Sequence, residues 1–187
     1  MNVHKLSLPN RSECKSYTLF IDRDGVINQP IIDDYAKKPE DFIFCEGALD
    51  ALIQLKKMMG RVILVTNQQG IQKGVMSEKN LEDVHLKMYN ALKSNVEYFD
   101  LALFAPYLKD QNHAWRKPNT GMCLKAKEYF PDIDFTKAIM VGDSPSDMAL
   151  AEPFNVLKVR IRNSQFSFDN QDFTFNSLAD FVTKLSN

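Results

Sequence analysis

Long runs of apolar residues are missing from this sequence. A helix that crosses a bilayer needs about 18 or more consecutive apolar residues, and no stretch of the chain provides them. The N-terminal residues MNVHKLSLPNRSECK also lack the apolar segment of a secretory signal peptide. We therefore expect a protein that does not enter a membrane and is not exported.

An excess of charge of either sign is also missing. The 187 residues include 23 Lys and Arg against 24 Asp and Glu, and the formal net charge is −1. Nucleic acids and acidic membrane surfaces attract strongly basic proteins, so this balance argues against both partners and favours a small-molecule substrate.

Paired cysteines are absent too. Cys14, Cys45 and Cys123 are an odd number without paired spacing, which argues against a disulfide framework and favours the reducing cytoplasm.

The composition, with 44% hydrophobic and 25% charged residues, is typical of an ordinary globular protein. A chain of 187 residues is long enough to bury one core. We expect residues 1–187 to form a single domain, with a polar N-terminal arm at 1–14 and a C-terminal loop and helix at 164–187. We also expect a monomer.

Short apolar segments rich in β-branched and aromatic residues alternate with segments of helical periodicity. Five of the apolar segments predict buried strands, at residues 17–21, 62–65, 101–105, 138–141 and 156–159. Helices are predicted at residues 48–59, 77–92, 120–130 and 178–185. Because parallel strands need long crossover connections, this alternation predicts an α/β fold, a mainly parallel sheet with helices on both faces.

Polar side chains follow the predicted strands at the edge where such folds bind ligands. In chain order they are Asp22 and Asp24 after the first strand, Thr66 and Asn67 after the second, Arg116 and Lys117 beyond the third, and Asp143 after the fourth. Each of these signals is weak alone, because such residues are common in turns and helix caps. Their arrangement on one edge favours a catalytic site.

Carboxylates, a hydroxyl and a lysine at one edge match the needs of phosphoryl transfer, because a phosphate dianion repels a carboxylate nucleophile unless cations neutralise the charge. Mg²⁺ suits this role since it prefers oxygen ligands. Asp22 is then the nucleophile that forms an aspartyl-phosphate, and Asp24 is the general acid and base. Gly25 permits a sharp turn, so that the carbonyl of Asp24 can also face the metal.

The remaining residues receive roles from their chemistry. Thr66 offers a hydroxyl and Asn67 a backbone N–H to phosphate oxygens, and Lys117 supplies a compact positive charge. Asp143 completes the predicted metal ligands, which are Asp22, Asp24 and Asp143. Asp147 lies one turn into a helix that starts near Pro145, where it could orient either Lys117 or a metal-bound water.

The segments DRDGVIN, TNQQGI, RKP and VGDSPSD occur in the order of the four motifs of the haloacid dehalogenase superfamily, which residues 17–159 resemble. The resemblance implies a Rossmann-like core and assigns the same roles, with Asp22 as nucleophile, Asp24 as acid/base, and Thr66 and Lys117 on the phosphate. It places Asp143 and Asp147 at the metal. One loop and one helix fill the chain between Asp22 and Thr66, which leaves no room for a separate cap domain.

The segments PEDFIFCEGALDAL, TNQQGIQKG and RKPNTGM are similar to one uncapped branch of that superfamily, which contains heptose bisphosphate phosphatases and histidinol-phosphate phosphatases. Members of this branch commonly carry a zinc loop before RKP. This chain has Ala105, Tyr107, His113 and Trp115 at the positions of the zinc-binding Cys and His residues, and one candidate ligand cannot build a four-ligand site. We expect no zinc. His113 and Trp115 are interpreted as loop residues or substrate contacts.

The sequence thus predicts a Mg²⁺-dependent phosphatase of a small phosphorylated metabolite, with a heptose bisphosphate as the favoured substrate. Lys73 and Arg116 are the candidate cations for its second phosphate, with ordinary surface charge as the alternative. His4 and His85 are interpreted as structural or solvated. Three alternatives stay open: a histidinol-phosphate phosphatase, a binding module without turnover, and an enzyme that acts on phosphorylated nucleic-acid ends.

Overall fold

Six parallel strands form a single sheet at the centre of the molecule. The computed structural model describes residues 6–92 and 98–186. The strands are β1 (Thr18–Ile21), β2 (Arg61–Asn67), β3 (Leu101–Ala105), β4 (Ala138–Gly142), β5 (Leu157–Ile161) and β6 (Phe173–Phe175). Their order across the sheet is β3-β2-β1-β4-β5-β6, and every neighbouring pair is parallel. The predicted parallel α/β sheet is confirmed.

Helices cover both faces of this sheet. They are α1 (Ala48–Met58), α2 (Glu78–Ala91), α3 (Gly121–Tyr129), α4 (Pro145–Ala151) and α5 (Leu178–Ser186). Most buried apolar side chains of α1, α2 and α5 pack in one cluster, and most of those of α3 and α4 pack in a second cluster on the opposite face. Within the described ranges, every helix is too short or too polar to cross a membrane.

The central strand shows why these segments become strands. All four residues of β1 are buried, with Leu19 and Ile21 in the cluster on one face and Phe20 in the cluster on the other. A parallel strand with helices on both faces is buried at every position, which explains why Leu19, Phe20 and Ile21 form a continuous rather than an alternating apolar pattern. β1 pairs with β2 and β4, so the loops after these three strands lie side by side.

The structure corrects several sequence-based boundaries. β2 continues through Thr66 and Asn67, which pair with β3 instead of following the strand. Thr66 is β-branched and suits a strand, whereas pairing with β3 outweighs the low strand preference of Asn67. β6 lies in a segment that we predicted as loop, since three half-buried residues give too short a pattern. The predicted arm at 1–14 is not wholly polar and solvated, because Pro9 and Cys14 are buried. Its first five residues, including His4, lie outside the described residues.

Candidate active site

The carboxyl ends of β1, β2 and β4 open into a cavity of about 630 Å³. Seven residues that the sequence predicts for the site line this catalytic cavity: Asp22, Asp24, Thr66, Asn67, Lys73, Lys117 and Asp143. Parallel strands bring their carboxyl ends to one edge, which is why residues far apart in the chain meet there. Arg116 lies instead in an adjoining cavity of about 350 Å³, which shares Asn67 and Lys117 with the first.

A tight charged group forms the bottom of the catalytic cavity. The ammonium of Lys117 lies 2.8 Å from Asp22 Oδ1 and 2.7 Å from Asp147 Oδ1, and it also donates to the carbonyl of Val65 at 2.9 Å. Burial opposes the charge on Lys117, but the carboxylates of Asp147 and Asp22 outweigh this effect and raise the pKa of Lys117. Of the two alternatives for Asp147, the structure thus shows contact with Lys117.

Asp22 is oriented by hydrogen bonds to one of its two carboxylate oxygens. Oδ1 accepts hydrogen bonds from Lys117 Nζ and from the backbone N–H of Arg23, at 2.8 and 2.7 Å. Within the described residues Oδ2 accepts none, which leaves it available for attack on phosphorus. Burial raises the pKa of Asp22 to about 7; Lys117 partly offsets this shift and Asp147 adds to it.

The acidic side chains at this edge can hold a cation. Oxygens of Asp22, Asp143 and Asp147 lie within 4.8 Å of one another, and all three residues are buried. Burial and the nearby carboxylates of Asp147 and Asp22 raise the pKa of Asp143 to about 9, because Lys117 alone does not balance the negative charge. A hard divalent cation with oxygen ligands would relieve this repulsion, so the donor set fits Mg²⁺.

Two glycines allow the carboxylates to approach each other. Gly25 has a φ of +84°, and a Cβ at this position would overlap the carboxylate of Asp143. A Cβ at Gly142 would overlap the side chain of Asp147. The carboxylate of Asp147 also caps α4, because its Oδ2 accepts hydrogen bonds from Ser144 N and Oγ at 3.0 and 2.7 Å. The start of α4 therefore fixes the position of Asp147 beside Lys117.

Asp24 is held by donors that the sequence analysis did not assign. Arg23 Nη2 donates to both carboxylate oxygens at 2.9 Å, Asn28 Nδ2 donates to Oδ1 at 2.9 Å, and Gln68 Nε2 donates to Oδ2 at 2.8 Å. Burial alone would raise the pKa of Asp24, but Arg23 and the two amides together lower it. Asp24 is a carboxylate in this state, and its orientation depends on all three neighbours.

Arg23, which is fully buried, also contacts the partly buried side chain of His85. The side chain of Arg23 is fully buried, and its Nη1 lies 3.3 Å from His85 Nε2. Arginine can only donate, so His85 accepts through Nε2 in its neutral form. From the sequence, His85 is interpreted as structural or solvated. Its spacing from Leu81 and Met88, which are buried on α2, already indicated the buried face of that helix.

Asn67 contacts the RKP segment through its side chain rather than its backbone. Its Nδ2 donates to the carbonyl of Lys117 at 3.1 Å, and its Oδ1 accepts from the N–H of Lys117 at 3.0 Å. Thr66 is buried at the cavity wall, where its hydroxyl oxygen accepts from Gln68 Nε2 at 3.0 Å. The two hydrogen bonds between Asn67 and Lys117 join the end of β2 to the loop that carries Lys117. Contact of Thr66 and Asn67 with phosphate stays a prediction.

The two candidate cations for a second phosphate lie in different surroundings. Lys73 Nζ lies 5.5 Å from the centre of the Tyr35 ring at the wall of the catalytic cavity. Arg116 Nη1 donates to the carbonyl of Tyr107 at 3.1 Å, and the residue lines the adjoining cavity. The structure thus brings Lys73 to the same cavity as Asp22 and places Arg116 beside it.

The loop before RKP is held by side-chain contacts. The rings of Tyr107 and His113 stack with their centres 3.3 Å apart, and His113 Nδ1 accepts from the N–H of Trp115 at 3.1 Å. Asn119 Nδ2 donates to the carbonyls of Asn112 and His113, at 3.1 and 3.0 Å. His113 therefore takes part in loop structure. The absence of zinc from this loop stays a prediction.

Comparisons with known proteins identify relatives of this chain. The family model described as polynucleotide kinase 3 phosphatase matches residues 19–184. The chain is 36% identical over 135 residues to D-glycero-alpha-D-manno-heptose-1,7-bisphosphate 7-phosphatase of Mycobacterium bovis, covering 72% of this chain and 71% of the relative. It is 34% identical over 174 residues to D-glycero-beta-D-manno-heptose-1,7-bisphosphate 7-phosphatase of Escherichia coli K12, covering 87% and 90%.

A solved structure shows the same fold. The crystal structure of D,D-heptose 1.7-bisphosphate phosphatase from B. bronchiseptica, complexed with magnesium and phosphate, superimposes with a TM-score of 0.80. The two chains are 28% identical, and the match covers 90% of this chain and 97% of the other. The fold of this chain is thus that of a heptose bisphosphate phosphatase structure.

Proposed function

This chain belongs to the haloacid dehalogenase-like phosphatase family, and we propose that it hydrolyses one phosphate ester of a sugar bisphosphate, with a heptose 1,7-bisphosphate as the favoured substrate. The observation that carries the proposal is the buried group of Asp22, Lys117 and Asp147 at the bottom of a solvent-accessible cavity. Such a group places a carboxylate beside a cation, which suits nucleophilic attack on a phosphate.

We propose Asp22 as the nucleophile. Its Oδ2 attacks phosphorus and forms an aspartyl-phosphate, while the ester oxygen leaves with a proton from Asp24. Water then attacks this phosphate, Asp24 takes a proton from the water, and phosphate departs. Both carboxylate oxygens of Asp24 accept hydrogen bonds in this state, so proton donation requires it to bind a proton and exchange one contact for the leaving oxygen.

Asp22, Asp143 and the carbonyl oxygen of Asp24 would hold Mg²⁺, which supplies positive charge to the transferring phosphate when it is bound. Asp147 stays outside this ligand set in our proposal, because its two oxygens already contact Lys117 and Ser144. Lys117 and Thr66 would contact the phosphate oxygens. All three N–H bonds of the Lys117 ammonium have partners in this state, so phosphate binding requires one of them to be exchanged.

The adjoining cavity supports the proposal of a substrate with a second phosphate. Among the described residues that line it, Lys109, Arg116 and Lys117 are cations and none is acidic. The catalytic cavity, which Lys73 lines, also has Asp33 and Asp34 in its wall, and these carboxylates make it less favourable for another anion. We therefore favour Arg116 over Lys73 as the residue that binds the second phosphate, while the carboxylates suit sugar hydroxyl groups as hydrogen-bond acceptors.

One alternative substrate has an observation in its favour. The matching family model is described as polynucleotide kinase 3 phosphatase, which raises phosphorylated nucleic-acid ends as substrates. The net charge of −1 argues against this alternative, because phosphate backbones are bound by basic surfaces. A histidinol phosphate, which has a single phosphate, would leave the cationic adjoining cavity unexplained.

A substrate panel tests the proposal. We would measure phosphate release with Mg²⁺ from a heptose 1,7-bisphosphate, a hexose bisphosphate, histidinol phosphate and a 3′-phosphorylated oligonucleotide, with Asp22→Asn as the control for contaminating phosphatase. We expect the highest kcat/KM for the heptose bisphosphate. Preference for histidinol phosphate or the oligonucleotide would reject the sugar assignment, and release from no substrate by the wild-type protein would indicate a binding module.

A further inference from the structure

The segment between β5 and β6, residues 162–172, forms one wall of the catalytic cavity. We call it the β5–β6 loop. Most of it lies in the C-terminal segment predicted as loop, to which no function is assigned above. Gln165 and Phe166 line the catalytic cavity, and Phe166 also lines the adjoining cavity. Phe166 is 39% exposed, so its ring stands at the boundary of the two cavities in contact with solvent.

Hydrogen bonds fix the shape of this loop. Arg160, a buried residue of β5, donates from Nη1 to the carbonyl of Phe168 at 2.7 Å and from Nη2 to the carbonyl of Phe166 at 2.5 Å. Its guanidinium lies 4.1 Å from the centre of the Phe168 ring, where a cation is attracted to the aromatic face. The position of Phe166 therefore depends on a contact made from the sheet.

The loop is also joined to the catalytic carboxylates. Asn163 Oδ1 accepts hydrogen bonds from the N–H groups of Gln165 and Phe166 at 3.0 and 3.1 Å. Asn163 Nδ2 donates to Asp143 Oδ2. One asparagine thus connects the backbone at Phe166 to the end of β4, which keeps Phe166 at a defined place relative to the reacting groups.

A second exposed apolar residue lines the same cavity from another loop. Ile32, which follows β1, is 73% exposed. Among the exposed large apolar side chains of the described residues, Ile32 and Phe166 are the two that line the catalytic cavity. β4, which Asp143 follows, lies between β1 and β5 in the sheet. The loop with Ile32 after β1 and the loop with Phe166 after β5 therefore flank the carboxylate of Asp143. When a ligand covers apolar groups at the mouth of a polar site, their removal from water favours binding.

We propose that Ile32 and Phe166 are specificity-determining residues, which contact the carbon skeleton of a phosphate ester with a body at least as large as a hexose. This inference rests on the proposed phosphatase function. The two loops would enclose the body of the substrate, while Asp22 and Lys117 act on its phosphate. A phosphate ester too small to reach these side chains would be hydrolysed without their help.

The test compares two monophosphates, a hexose 6-phosphate and acetyl phosphate, on the wild type and on Phe166→Ala and Ile32→Ser. For each variant we expect KM for the hexose phosphate to rise about tenfold with kcat little changed, because contacts made equally in ground and transition state affect KM alone. Kinetics with acetyl phosphate should not change. Tyr129→Ala is the matched control, because this exposed ring on α3 lies outside both cavities and should change neither substrate.

An equal effect on both substrates, or no effect on either, would overturn the inference. Arg160→Gln provides a second test, since it releases the β5–β6 loop without removing Phe166 and should also raise KM for the hexose phosphate alone. A folded Arg160→Gln protein with wild-type KM for both substrates would contradict the role of the loop. If the wild type released phosphate from neither compound nor from any bisphosphate, the proposed function itself would fail, which is a different result.

Discussion

The bottom of the catalytic cavity and its mouth are built in opposite ways. At the bottom, Lys117 and Asp147 are 3% and 0% exposed, and each charged group contacts an oppositely charged partner. At the mouth, Ile32 and Phe166 are 73% and 39% exposed and belong to loops. Buried charges persist only with partners in good geometry, whereas exposed side chains need none. The bottom is therefore suited to fixed chemistry, and the mouth to substrate choice.

This difference predicts how substitutions should behave. A change at the bottom removes a group that several others require, so its effect should be large for all substrates and should vary only with the leaving group when the acid and base is changed. A change at the mouth or beside it should be smaller and should depend on the substrate, because it removes one contact with a particular part of the ligand.

Asp22→Asn provides the strongest test of the bottom of the cavity. An amide cannot form the aspartyl-phosphate, so we expect turnover to be abolished for every phosphate ester, together with weaker Mg²⁺ binding. Phosphate release and isothermal titration with Mg²⁺ would measure the two effects. Phosphate release near the wild-type rate would show that the covalent mechanism is wrong.

Asp24→Asn should slow turnover about 10²- to 10⁴-fold, as expected for loss of a general acid and base. The loss should be greatest for sugar phosphates, whose leaving oxygens need a proton, and smaller for an activated aryl phosphate. Comparison of kcat for the two substrates measures this difference. Equal losses would remove the acid role from Asp24 and leave it a structural partner of Arg23.

Arg116→Ala should affect substrate choice rather than chemistry. Loss of a charge-assisted hydrogen bond to phosphate costs roughly 1.5–3 kcal/mol, so we expect kcat/KM for a heptose bisphosphate to fall about ten- to a hundredfold relative to a monophosphate. Lys73→Ala is the matched control, and we expect it to change this ratio less. An unchanged ratio in Arg116→Ala would contradict the assignment of the second phosphate to the adjoining cavity.

His85 should make the protein less stable in acid. Burial and the neighbouring Arg23 lower the pKa of His85 to about 3, whereas an unfolded histidine titrates near 6.5. As the pH falls below that value the unfolded chain binds a proton that the folded protein excludes, so stability is lost. From pH 7 to pH 5 this loss amounts to about 2 kcal/mol for one such group.

Urea unfolding of the wild type and of His85→Gln at both pH values would measure this contribution. The amide oxygen of Gln can accept from Arg23 but does not titrate, so the variant should lose less stability in acid. Parallel pH dependences of the two proteins would show that His85 titrates normally.

The smallest expected effect is that of zinc removal. The predicted ligand positions hold Ala105, Tyr107, His113 and Trp115, and the loop is held instead by the Tyr107–His113 stack and by Asn119. Elemental analysis of protein purified without chelator should find no stoichiometric zinc, and a zinc chelator should not change activity. One equivalent of zinc per chain would contradict our interpretation of this loop.

Much of the fold could be predicted because its signals are local. Short stretches of sequence suffice to predict a four-residue strand buried on both faces, a helix with apolar residues at every third or fourth position, and a turn at a glycine after a strand. The strand-end positions of Asp22 and Asp143 followed from the same alternation. The ends of β2 and the existence of β6 could not be predicted, because pairing with β3 and β5 decides them.

The sequence by itself determined the parallel sheet and the set of polar residues at its edge, since periodicity and chain order suffice to place them. Only the tertiary structure decided their contacts: that Asp147 pairs with Lys117, that Arg23 and Gln68 hold Asp24, that Arg116 faces a separate cavity, and that Phe166 joins the site. These contacts join segments distant in the chain, and their geometry depends on the packing of the whole molecule, which no local pattern encodes.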